Sequence, residues 1–177
     1  MSYRTHASKT STVHVLSDIA AVPAARRRVV SIVRSWRLPL TQDIVETVEL
    51  LAGEVIANSV VHVREGCQVT VNWDGARLRV EVDDPGRSHI PLPVSSDLEA
   101  ESGRGLQLVA MLAQAWGWRS TLNGNSVWFE IGTCSPPQDQ ASPAPDENEY
   151  SFGPAFQRLF ASSPRDSPLV GFPRQTA

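Results

Sequence analysis

An α+β two-layer sandwich is predicted for this chain: one mostly antiparallel sheet covered on one face by helices. Three observations carry that prediction. Residues 67–73 and 76–83 alternate apolar and polar side chains on either side of Asp74-Gly75, a strong two-residue hairpin signal. Two helical periodicities precede the hairpin, over residues 23–36 and from Thr41 to near Val63. A third helical run follows it and leads into a second hairpin, residues 118–122 and 126–131, about Asn123-Gly124-Asn125. The predicted order is strand, helix, helix, hairpin, loop, helix, hairpin, with no long internal repeat.

Taken in order, residues 1–9 are polar and are expected to form a flexible arm. Residues 10–16 alternate and include β-branched Thr12, Val13 and Val15, which suits a short strand. Ser17 and Asp18 are turn or cap residues, and Pro23 suits the first turn of a helix. Val29, Val30, Val33 and Trp36 make that helix's apolar stripe, while Arg26, Arg27 and Arg28 read as a solvated face. Leu38-Pro39 is expected to end it. Thr41 caps the next helix, and Asp43 and Glu46 lie in its early turns, where they favour the helix dipole. After a turn at Glu65-Gly66, Cys67, Val69, Val71 and Trp73 fall on one face of a strand, answered by Leu78, Val80 and Val82. Asp84-Pro85-Gly86 stops the partner strand. Residues 89–102, with Pro91, Pro93 and the acids Asp97, Glu99 and Glu101, read as a loop. Gly103-Arg104-Gly105 opens a helix with Leu106, Leu108, Val109, Leu112 and Ala113, which Gly117 is expected to close. From Thr133 the chain turns to Pro, Ser, Gln and Asp, so residues 133–177 are predicted to be a disordered tail. The aromatic island at 152–160 within it reads either as a short helix that docks on something or, the simpler reading, as a sticky segment. The folded domain is thus expected at residues 10–132.

Composition narrows the function. A net charge of −3 leaves no basic footprint for direct nucleic-acid binding. No run of apolar residues is long enough to cross a membrane, and residues 1–11 lack the apolar segment of a secretory signal. The two cysteines, Cys67 and Cys134, fit no metal spacing, and a reduced cytoplasm is the simplest setting. Lys9, in the N-terminal arm, is the sole lysine. A Walker A loop and the strand lysine of the protein-kinase fold are therefore both excluded.

Three stretches carry chemistry. Within the second helix, Glu54, Asn58 and His62 recur at every fourth residue, which stacks them on one face about 6 Å of rise apart. A carboxylate and an amide beside Val55, Ile56, Val60 and Val61 are costly to bury unless paired. A hydrated metal ion with its phosphate would pair them; alternatively they are ordinary exposed helix residues, with His62 a C-terminal cap. Asp84 at a strand end, followed by Gly86, suits acceptance of an amino group from a flat ligand. It suits a plain Asp-Pro-Gly turn as well. Gly103-Arg104-Gly105 at a helix start offers free N–H groups and a forked guanidinium to an anion. Each stretch alone is weak; their order and spacing together are not.

On these residues the chain resembles the histidine-kinase-like ATPase superfamily, the Bergerat-fold or GHKL group, over residues 10–132. Within it the chain is most similar to the small anti-sigma-factor type of serine kinase. Glu54-x-x-x-Asn58-x-x-x-His62 matches the N box, Val82-Asp83-Asp84-Pro85-Gly86 the G1 box and Gly103-Arg104-Gly105-Leu106 the G2 box. The resemblance implies that Asn58 holds a magnesium ion and Glu54 is the general base. It implies that Asp84 receives the adenine amino group of ATP with Gly86 giving the base room. Gly103, Arg104, Gly105 and Leu106 would then form the phosphate wall, with residues 89–102 as a lid. His62 fits the pattern, but a cap explains it equally well. Ser88 stands where the G1 box usually has a second glycine. No dimerisation helix with a phosphoacceptor histidine precedes the domain, which argues against a two-component sensor kinase.

The expectation is therefore a cytoplasmic Mg-ATP-binding regulator. It would act as a serine/threonine kinase on a small antagonist protein, with a sigma factor as a second partner. The alternative is an ATP-binding interaction module without turnover. A homodimer fits the resemblance, although no residue fixes one.

Overall fold

The computed structural model describes residues 7–63, 65–86, 104–132 and 149–152. Strand β1 (Lys9–Val15) leads through a 3-10 turn (Ile19–Ala21) to helix α1 (Val22–Ser35) and helix α2 (Gln42–His62). Strands β2 (Cys67–Trp73) and β3 (Arg77–Asp84) follow, then helix α3 (Arg104–Leu112) and strands β4 (Ala115–Thr121), β5 (Gly124–Gly132) and β6 (Glu149–Phe152). The six strands form one sheet in the order β1-β2-β3-β5-β4-β6, and every pairing is antiparallel. The α+β sandwich predicted from the sequence is the one observed.

Local chemistry explains most boundaries. The Asp18 carboxylate accepts from the Ala20 N–H at the start of the 3-10 turn. The Thr41 hydroxyl accepts from the Ile44 N–H and caps α2. In the first hairpin, Asp74 Oδ1 accepts from the N–H groups of both Ala76 and Arg77 at 2.8 and 2.7 Å. Partial burial pushes the Asp74 carboxyl up, but these two bonds and the Arg77 guanidinium together hold it below its ordinary range.

Strand alternation places the core. Val69, Val71 and Trp73 pair across with Val82, Val80 and Leu78, and Val80 pairs with Phe129, which in turn pairs with Trp116. Paired residues share a face, so this row lies under the helices. All eight are fully buried, together with Val29 and Val33 of α1 and Val48, Leu51 and Ile56 of α2. Fully burying such a side chain contributes about 1.5–3 kcal/mol. Phe129→Ala is expected to cost about 3–5 kcal/mol of stability in urea denaturation. A loss under about 1 kcal/mol would show that this face of the sheet is not the core.

The opposite face is polar. Glu81 accepts from Arg119 and Ser126, Arg79 bridges Glu81 and Glu130 at 3.3 Å each, and the Arg79 guanidinium lies 3.9 Å over the Trp128 ring. Lys9 has a structural role: its Nζ donates to the Trp36 carbonyl at 3.0 Å, beside the end of α1.

Several boundaries differ from the expectation, and three are instructive. Helix α1 stops at Ser35, short of Pro39, because Arg37 takes a left-handed conformation with φ of 50°. Gly117 does not close α3. The helix ends at Leu112, and Gly117 lies inside β4, paired with Trp128. Gly124 and Asn125 belong to β5, which leaves Leu122 and Asn123 as the turn. One element was not foreseen: β6 pairs with β4 from Trp116↔Phe152 to Arg119↔Glu149. The loop at 89–102 and most of residues 133–177 lie outside the described residues.

Candidate functional site

The long helix α2 brings Glu54 and Asn58 to successive turns, both half-buried. Ser59, next to Asn58, is buried, and its hydroxyl donates to Asp84 Oδ2 at 3.4 Å. The strand period explains why Asp84 and not Asp83 meets the helix. Leu78, Val80 and Val82 form the inward row of β3, and Asp84 is the next member. Asp83 falls on the polar face opposite Ser126, and burial there pushes its carboxyl up from the usual carboxylate range. The second oxygen of Asp84, Oδ1, accepts from the Gly86 N–H at 3.0 Å. Cys67 lies nearby: burial pushes its thiol up, opposed by a hydrogen bond with Ser59, and the Asp84 charge adds to the rise.

The third wall is the start of α3. A Cβ built on Gly105 would stand 2.6 Å from Glu54 Oε2 and 3.3 Å from Glu54 Cβ. Glycine leaves room for this approach, and the Glu54 carboxylate lies against the first turn of α3. Helix starts carry unpaired N–H groups and the positive end of the dipole, so the region suits an anion. Leu106, one residue on, is buried in the core and anchors that turn. Gly103 and the side chains of Arg104 and His62 lie outside the described residues.

Glu54, Asn58, Asp84, Gly86 and Gly105 thus stand on neighbouring segments, joined by Ser59 on one side and by the Glu54–Gly105 contact on the other. A family model, described as histidine kinase-like ATPase domain, matches residues 15–131, about two thirds of the chain. The chain belongs to the histidine kinase-like ATPase domain family. A search of curated proteins returned no match. The ATPase domain runs from the end of β1 to the end of β5, which leaves β6 beyond it. ATP binding is what membership implies. Among the described residues no helix of this ATPase domain is long and apolar enough to cross a membrane.

Two contributors carry no motif signal in the sequence. Ser59 is one, although it adjoins Asn58. Asn125, buried, donates from its side-chain amide to the Gly86 carbonyl. Its signal was absent from any local pattern, because it depends on β5 pairing with β3 so that Asn125 stands opposite Asp84.

Proposed function

We infer that this ATPase domain is a Mg-ATP-binding regulator that phosphorylates a serine or threonine of a small antagonist protein, in the manner of an anti-sigma-factor kinase. The observation that carries this reading is the close approach of the Glu54 carboxylate to Gly105 in the first turn of α3. Retention of nucleotide alone needs no base there, whereas phosphoryl transfer does. Asn58 supplies a hard oxygen one helical turn from Glu54. Among the described residues no group of three His, Cys, Asp or Glu would hold a metal without the nucleotide. That donor set fits magnesium, which keeps several waters and binds through few protein groups plus phosphates. When bound, the ion would neutralise phosphate charge that a lysine neutralises elsewhere. Asp84 accepts the adenine amino group, Gly105 and the α3 start face the phosphates, and Glu54 takes the proton of the attacking hydroxyl.

Titration of the full chain with ATP, with and without magnesium, tests the reading. The wild type is expected to bind in a magnesium-dependent way. Asn58→Ala should remove that dependence, and Asp84→Asn should weaken binding by on the order of tenfold or more, since it replaces a charged acceptor. Wild-type affinity in both variants would sink the site assignment. Binding without transfer to any candidate protein would favour an interaction module that uses ATP only as a ligand.

A further inference from the structure

The last turns of α3 present an apolar stripe away from the core. Leu108, Met111 and Leu112 recur at the i, i+3, i+4 spacing that puts them on one helical face. Leu108 is half-buried, but Met111 is 73% and Leu112 45% exposed. Adjoining open side chains of this size form a patch, unlike a single surface leucine. The chain returns to this end of the domain. Strand β6 lies beyond the matched ATPase residues, and its last residue, Phe152, stands opposite Trp116 near the start of β4. Trp116 follows Leu112 by four residues, so the chain leaves β6 within about 20 Å of the stripe. Eight extended residues reach about 26 Å, which brings residues 153–160 within range. Phe156, Leu159 and Phe160 have the same i, i+3, i+4 spacing as the stripe. They follow Pro154, a residue suited to the first turn of a helix, and are interrupted by polar Gln157 and Arg158.

We propose that the apolar stripe Leu108, Met111 and Leu112 is the docking surface for residues 154–160 of the same chain, which pack on it as a short amphipathic helix and tie the tail to the end of α3. Two stripes of matching period interdigitate, as apolar helix faces do when they pack. Phe156, Leu159 and Phe160 then leave water together with Met111 and Leu112, while Gln157 and Arg158 stay on the solvent side. The occupant is this chain rather than a second copy because the tether is short. A linker of a few residues sets an effective concentration on the order of millimolar, which micromolar free protein does not match. The contact uses no residue assigned to the nucleotide and does not depend on the kinase reading.

Limited trypsin digestion of the full chain, read by fragment mass, tests the docking. Arg158 lies inside the docked segment, and Arg174 lies beyond it in the same tail. Met111→Asp puts a charge on the stripe at a position open enough to leave the fold intact, which a melting temperature checks. It should speed cleavage at Arg158 by about tenfold or more and leave cleavage at Arg174 within about twofold, because a protease cuts the open form. Phe156→Ser removes the anchor from the tail side and should free Arg158 likewise. Leu122→Asp, at a 95% exposed position past the other end of β4, should change neither rate. The wild-type rate at Arg158 is expected to be independent of protein concentration. An Arg158 rate unchanged by both Met111→Asp and Phe156→Ser would overturn the docking, as would an equal increase in Leu122→Asp. Protection that grows with protein concentration would assign the stripe to a second copy and overturn it too.

Discussion

Replacing Glu54 by alanine is expected to lower phosphoryl transfer by about 10²–10⁴-fold while leaving ATP affinity nearly unchanged. Glu54 lies beside the start of α3, in contact with Gly105, and not among the groups around Asp84 that would take the base. Its loss therefore removes a proton acceptor and no base contact. The cost should fall on turnover. Glu54→Gln keeps the contact with Gly105 and loses the basicity, so it should be nearly as inactive as the alanine variant. Labelled-phosphate transfer and nucleotide titration on the same preparations separate the two effects. An active Glu54→Gln variant would mean that another group accepts the proton.

Gly124→Ala is expected to lose on the order of 3 kcal/mol or more of stability and to weaken ATP binding with it. Gly124 opens β5 at φ of 148°, a conformation that side chains resist. A Cβ there would run into the Asp84 carbonyl and stand 2.7 Å from Pro85 Cα. The obstacle is backbone, so no rotamer change relieves it. Either β5 moves off β3, or the 84–86 turn moves and takes the carboxylate with it. Chemical denaturation reads the first cost and nucleotide affinity the second. Wild-type stability in Gly124→Ala would show that β5 does not abut the turn as described.

Much of this was legible in local patterns. Thr41 with Asp43 marks the start of α2, Asp74-Gly75 marks a hairpin, and the inward row Leu78, Val80, Val82 points to Asp84. These signals are local because caps, turns and alternation act over a few residues. What escaped depends on distant pairing. Gly117 after an apolar helix reads as a helix stop, but its pairing with Trp128 overrides the local preference. Asn125 looks like a turn residue until β5 is known to lie beside β3. Strand β6 sits in a segment whose composition argues for disorder, and only its four-residue pairing with β4 shows otherwise.

The position of β5 in the sheet has a consequence for biosynthesis. It is inserted between β3 and β4, although it is made after both. A nascent chain that stops before Gly124 already carries Glu54, Asn58, Asp84 and Gly105, yet β3 still presents an open edge and the 84–86 turn lacks Asn125. The antiparallel half β1-β2-β3 can pair as it emerges, while the seam that joins β3 to β4 waits for a strand some forty residues later. Until β5 arrives, the open central edge of β3 is where a misplaced strand would do most harm.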